Sequence, residues 1–340
     1  MFAIHLSEGS SLHCKTIKSH TIDRYLLNIS KVCRAAHPTN RDPRKLPPSS
    51  PDKYSPDLKG IIAEIRRWET MPNRVEPLTP EMVDHAVHLA TKSHPDSLIA
   101  AIAPWLDLGL YTGFRRIEWA QPSSKHANPS QPQTLESRDP TTGVLTPTTI
   151  PYAFLPTDWL FFDTHNNPIP LHLITTSACP IASKVRITFR YQKNGQHGET
   201  KEFLANRNHP LSSPTQAAES IIRRHARLTN SNNLIPLAVY RPSSNQPIRA
   251  ITAQDITTTL RNLASTVHTI TSPTALRRLT PHSLRVGACT LLHSQGISDS
   301  VIKHILRWRS DAFRDYLRNM PAYATSQNTA RTNASSLRNH

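Results

Sequence analysis

Residues 279–318 constrain the chain more than any other stretch, because their pattern specifies three helices and which faces of them are buried. Thr280 followed by Pro281 reads as an N-cap and a first helical residue: a threonine hydroxyl accepts from a free N–H of the first turn, and proline lacks the N–H that would go unpaired there. Leu284, Ala288, Leu291 and Leu292 recur at helical spacing, and Gly296 is placed to end that helix. Ser298 caps a second helix striped by Val301, Ile302, Ile305 and Leu306, Trp308 lies just past its end, and a third short helix over 311–318 carries Tyr316. His282 and Arg285, three residues apart, share the start of the first helix, where backbone N–H groups and the dipole favour an anion. A phosphate is the natural guest.

Charge narrows the partner. Lys and Arg total 40 against 24 Asp and Glu, a net +16, and 18 histidines add to it below neutral pH. The excess is scattered rather than gathered in one block, which favours a folded, charge-lined groove for a polyanion over a disordered basic arm. Four cysteines, Cys14, Cys33, Cys179 and Cys289, show no C-x-x-C spacing, which argues against a disulfide framework and a zinc site; no P-loop motif is present. The apolar stretch 98–111 is interrupted by Pro104 and Asp107, so neither a signal peptide nor a membrane span is expected. A reducing compartment that contains DNA, nucleus or cytoplasm, fits these features.

At 340 residues the chain has the length of two domains. Residues 16–33 carry Ile17, Ile22, Tyr25, Leu26, Ile29 and Val32 at helical spacing, and residues 58–68 repeat the pattern with Ile61, Ile62 and Ile65. A proline-rich loop separates the two. A linker at 71–80 leads to a helix capped by Thr79 and Pro80, with Met82, Val83, Ala86 and Leu89 on one face, and a second helix starts from Ser97. Residues 121–151, rich in Ser, Pro, Thr and Asn, read as an exposed loop. Strands are expected at 158–163, 169–174, 185–191 and 200–204, with Lys193-Asn194-Gly195 turning the last two into a hairpin. Amphipathic helices at 214–228 and 252–267 follow, and the polar tail 324–340 is expected to be disordered.

H-x-x-R at His282 and Arg285, a tryptophan in R-W-R-S-D-A-F, and then Tyr316 resemble the C-terminal signature of the tyrosine recombinases, the integrase family that includes transposon-encoded enzymes. Upstream, T-G-F-R-R-I-E at 112–118 resembles the family's T-G-x-R-x-x-E box and aligns Arg115 with its catalytic arginine. Gly113 permits a turn that other residues resist, and Glu118 is spaced to hold the guanidinium.

The resemblance implies a mainly α fold with a small antiparallel β-sheet. It implies a helical DNA-binding domain over 1–73, short of its first helix or two, then a catalytic domain over 74–323. It further implies metal-free and cofactor-free cleavage of double-stranded DNA by a homo-tetramer on paired sites, with no membrane partner. Tyr316 would attack phosphorus to give a 3′-phosphotyrosyl link. Arg115 and Arg285 would neutralise the phosphate, His282 would move a proton, and Trp308 would donate its indole N–H. Lys193, or its rival Lys201, would protonate the leaving 5′ oxygen. Many members place the nucleophile nine residues after the His/Trp position, whereas Tyr316 is eight after Trp308, which leaves Tyr323 as the alternative. A type IB topoisomerase-like enzyme and a DNA-binding remnant that no longer cuts are the other readings.

Overall fold

The computed structural model describes residues 19–36, 56–68, 74–138, 145–176, 181–192, 197–206, 213–308 and 311–317. The chain divides into two compact units, 1–73 and 74–340. In the first, α1 (Ser19–Ala36) packs on α2 (Pro56–Trp68): Ile22 is fully buried, with Leu26, Ile61 and Ile65 against it. The expected stripe on α1 is only half used, because Tyr25, Ile29 and Val32 are exposed.

The second unit opens with two capped helices. In α3 (Pro80–Lys92) the Thr79 hydroxyl accepts from Met82 N, and in α4 (Leu98–Thr112) Ser97 does the same for Ala100 N. Capping of this kind is worth about 1 kcal/mol, so both starts were legible as residue types. A single turn, α5 (Arg116–Trp119), follows the left-handed Gly113. The segment expected to be an exposed loop instead holds a hairpin, β1 (Thr134–Arg138) against β2 (Leu145–Pro151). Its prolines and polar residues hide the pairing, since they leave the sequence without the apolar alternation that marks a strand.

The main sheet has the order β4-β3-β5-β6, all antiparallel, from β3 (Trp159–Phe162), β4 (Pro168–Ile169), β5 (Lys184–Phe189) and β6 (Glu199–Leu204). The strand expected over 169–174 ends after Ile169. Residues Leu171–Ile174 form a helical turn, α6, because Pro168 and Pro170 remove the donors a longer ladder needs. One face of the sheet, with Trp159, Phe161, Val185, Ile187, Phe189 and Phe203, is buried in the core.

Helix α7 (Pro214–Thr229), the short pair β7 (Val239–Tyr240) and β8 (Arg249–Ala250), and α8 (Ala253–Val267) complete this core. A turn, α9 (Pro273–Leu276), leads to α10 (Ser283–Ser294), α11 (Asp299–Ile305) and α12 (Arg314–Leu317). Helix α10 begins at Ser283, two residues after the expected start at Pro281. Thr280 and Ser283 exchange bonds, with Thr280 N donating to Ser283 Oγ (3.1 Å) and Ser283 N to Thr280 O (2.8 Å), so Pro281 and His282 form a turn and His282 becomes the N-cap. The observed architecture is mainly α with small antiparallel sheets. Among the described residues no helix is long and apolar enough to cross a membrane.

Candidate active site

An aromatic block fixes the loop that carries Arg115. Phe114 is fully buried, its ring 5.8 Å from Trp105, 5.3 Å from Phe154 and 6.0 Å from Phe189, while Trp105 stacks on Trp119 at 4.9 Å. Edge-to-face and offset pairs of this type each contribute about 0.5–1.5 kcal/mol beyond their burial. Gly113 ends α4 with φ +56, and a Cβ there would meet Leu306 Cδ2 at 2.6 Å. The left-handed backbone therefore favours glycine, any larger residue would also have to displace the Leu306 side chain, and the loop lies directly against the end of α11.

Two backbone turns are stitched together by guanidinium groups. Arg285, 2% exposed, donates from Nη1 to Gly113 O (2.9 Å) and from Nη2 to Leu306 O. Its guanidinium also lies over the Trp308 ring, 4.4 Å from the centroid. Arg115 donates from Nη1 to Glu118 Oε1 (3.1 Å) and from Nη2 to Arg307 O (3.3 Å), and its side chain remains 21% exposed. Burial, reinforced by the charges of Arg115 and Arg307, pulls the Arg285 pKa down to about 9, so it stays cationic at neutral pH.

The remaining candidates meet at the same place. His282 Nε2 lies 2.7 Å from the Tyr316 hydroxyl, and Tyr316 packs edge-on to Trp308 with ring centroids 5.2 Å apart. Trp308 Nε1 is buried and has no hydrogen-bond partner among the described residues. Beneath them Ala288, Cys289, Ile302, Leu306 and Phe313 form a small separate core that seats α12. The structure thus brings Arg115, His282, Arg285, Trp308 and Tyr316 into one cluster. Lys193 and Tyr323 lie outside the described residues. Lys201 sits on β6 with Nζ 2.9 Å from Glu199 and 3.1 Å from His304 Nε2, and Glu199 is bonded through Gln192 (2.7 Å) toward Arg115.

Burial, and then the nearby charges of Arg285 and Arg115, push the His282 pKa down to about 4, so the ring is neutral at pH 7. With its proton on Nδ1, Nε2 would accept the phenol proton. Burial does the same to His225, also at about 4. Both groups refuse a proton that the unfolded chain takes up below about 6.5, so each loses its share of stability as pH falls from there toward 4. Unfolding free energies from urea titration are expected to drop over this window, by up to about 1.4 kcal/mol per pH unit for each histidine, and their pH dependence to flatten in His282→Gln and His225→Gln. Unchanged pH profiles in those variants would contradict the assignment.

Sequence reasoning missed Arg307. Its side chain is wholly buried, with Nη2 2.8 Å from Glu118 Oε2 and the guanidinium 3.5 Å from the Phe189 centroid, and its φ is +57. In a chain with 40 Lys and Arg, nothing in composition sets it apart; the only signal is its place between the end of a helix and a tryptophan, where a left-handed residue is common. Among the described residues no group of three or more His, Cys, Asp or Glu is arranged to hold a metal ion.

No family model and no curated protein matches the chain. Among solved structures it is similar to the Tn1549 transposon integrase in complex with circular intermediate DNA, at 13% identity and a TM-score of 0.46 over 93% of this chain and 78% of that one. The same integrase with transposon right end DNA gives 14% identity and a TM-score of 0.44, covering 95% of this chain and 83% of that one. A lambda integrase dimer bound to a COC′ core site gives 13% identity and a TM-score of 0.33, covering 88% and 73%. Likenesses at this level assign no chemistry; the side chains must carry that.

Proposed function

We propose that this chain is a DNA breaking and rejoining enzyme of the tyrosine recombinase type, with Tyr316 as its nucleophile. The observation that carries the reading is the 2.7 Å contact between the Tyr316 hydroxyl and a neutral, part-buried His282, beside two guanidiniums tied into the same pair of loops. His282 Nε2 takes the phenol proton as the oxygen attacks phosphorus, the 5′ oxygen leaves with a proton from Lys193 or Lys201, and a 3′-phosphotyrosyl link remains. The new ester conserves the bond energy, so attack by a 5′ hydroxyl reverses the step and rejoins the strand. Arg115, its side chain 21% exposed, binds a non-bridging oxygen directly, where a preorganised donor is worth most, and the buried Trp308 N–H joins it when the segment carrying Trp308 and Tyr316 shifts.

Arg285 adds its charge to this field from behind the Trp308 ring. At 2% exposure it reaches a phosphate directly only when the segment carrying Trp308 and Tyr316 shifts. That burial also favours a second reading, a DNA-binding protein that keeps the arrangement without cutting. Under the first reading, residues 1–73 form a helical DNA-clamping domain, 74–323 the catalytic domain, and the +16 charge binds duplex DNA in a homo-tetramer on paired sites. The tail 324–340 lies outside the described residues.

A nicked suicide duplex, from which the cleaved fragment diffuses away, separates the two readings. Incubation with chelator present is expected to give a covalent protein–DNA band on a denaturing gel. A gel shift with no covalent band supports the second reading and overturns the first.

A further inference from the structure

Arg307 combines two unfavourable features with no local reason for either. A guanidinium taken wholly out of water is costly unless it is fully partnered, and a left-handed backbone strains any residue that has a β-carbon. A glycine or asparagine would serve the turn with less strain.

What the arrangement achieves is visible one shell further out. Glu118 Oε2 accepts from Arg307 Nη2 (2.8 Å) and from the backbone N–H of Arg115 (2.8 Å), while Glu118 Oε1 accepts from Arg115 Nη1 (3.1 Å). Arg307 Nη1 donates to Thr112 O (3.2 Å), one residue before the Gly113 turn. The left-handed turn at Arg307 places its carbonyl against Arg115 Nη2 (3.3 Å). Arg115 is therefore held at one η nitrogen by a carboxylate that Arg307 grips, and at the other by the Arg307 main chain. The Phe189 ring face, 3.5 Å from the Arg307 guanidinium, closes the remaining side.

We infer that Arg307 is a positioning residue for the proposed reaction: through Glu118 and its own carbonyl it sets the orientation of the Arg115 guanidinium toward the scissile phosphate. The inference rests on the reading of Arg115 as a phosphate ligand, and it makes Arg307 a residue that never touches DNA. The neighbouring turns act as one latch, with consecutive carbonyls at 306 and 307 taken by Arg285 and Arg115.

Arg307→Gly relaxes the turn and keeps the carbonyl while deleting the grip on Glu118. Arg307→Lys keeps a cation there without the fork, and it serves as the test if the glycine variant fails to fold. With the nicked suicide duplex, Arg307→Gly is expected to slow single-turnover adduct formation about 100-fold, the scale of a misplacement near 1 Å, with unchanged affinity for intact duplex and partial recovery in Arg307→Lys. In an Arg115→Ala background the same change should cost nothing further, because the effect acts through Arg115. Losses that multiply in the double variant, or that track duplex affinity, overturn the inference. Exchange of the Arg115 side-chain N–H protons, followed by 15N NMR without DNA, is expected to accelerate in both Arg307 variants; unchanged exchange overturns the inference. That arm is independent of cleavage, so absence of an adduct in the unaltered protein counts against the proposed function alone.

Discussion

Tyr316→Phe is expected to abolish covalent attachment to DNA while leaving the fold and duplex binding in place. The change removes one oxygen. The ring keeps its edge-on packing against Trp308 at 5.2 Å and its place over the small core of Ala288, Cys289, Ile302, Leu306 and Phe313. The lost hydrogen bond to His282 is part-buried and worth about 0.5–1.5 kcal/mol of stability, so the thermal midpoint should move little. Adduct formation from the suicide duplex should fall below detection, because nothing else at that position can form the ester. An adduct that persists in Tyr316→Phe and vanishes in Tyr323→Phe would move the nucleophile to the later tyrosine.

Arg285→Ala is expected to damage both stability and reaction, the largest combined effect of any single change at the site. Two carbonyls, Gly113 O and Leu306 O, lose buried charged donors, and an unsatisfied buried polar group costs about 1–3 kcal/mol. Trp308 also loses the cation over its ring face at 4.4 Å, and with it the neighbour that fixes its indole. The two turns at 113 and 306 would part, carrying Arg115 and Tyr316 with them. A loss of about 3–5 kcal/mol in chemical denaturation is expected, with adduct formation reduced at least about 100-fold in whatever remains folded. Arg285→Lys should recover part of the stability and little of the rate, since a single ammonium does not span both carbonyls. Near-normal stability in Arg285→Ala would show that the stitching contributes little.

How much of this was legible depends on whether the signal was local. Thr79 with Pro80, Ser97, and Thr252, whose hydroxyl accepts from Asp255 N at 3.3 Å, announce helix starts because capping acts within one turn. The alternation through 185–189 gives its strand for the same reason, since side chains opposite one another share a face. The pairing of Glu118 with Arg115 also follows from spacing, three residues on one turn.

Non-local features stayed hidden. The pairing of 134–138 with 145–151 shows no apolar alternation in the sequence, and the helical turn at 171–174 depends on prolines whose effect was outweighed by an apolar run. Thr280 with Pro281 predicted the helix start two residues early, because the exchange of bonds with Ser283 competes with capping. The joining of residues 112–115 to 306–308 spans nearly two hundred positions, and only side chains far apart in sequence create it. Arg307 belongs to that class: its meaning lies in Glu118, Thr112 and Phe189, none of which is near it in the chain.

The central claim is that the Tyr316 oxygen, beside His282, becomes bonded to a DNA phosphorus. Digesting the protein after reaction with a suicide duplex, and sequencing the nucleotide-bearing peptide by mass spectrometry, tests it most directly. The account requires a 3′-phosphonucleotide on Tyr316 and on no other side chain. A modified residue elsewhere, or strand cleavage that leaves no nucleotide on the protein, would contradict it.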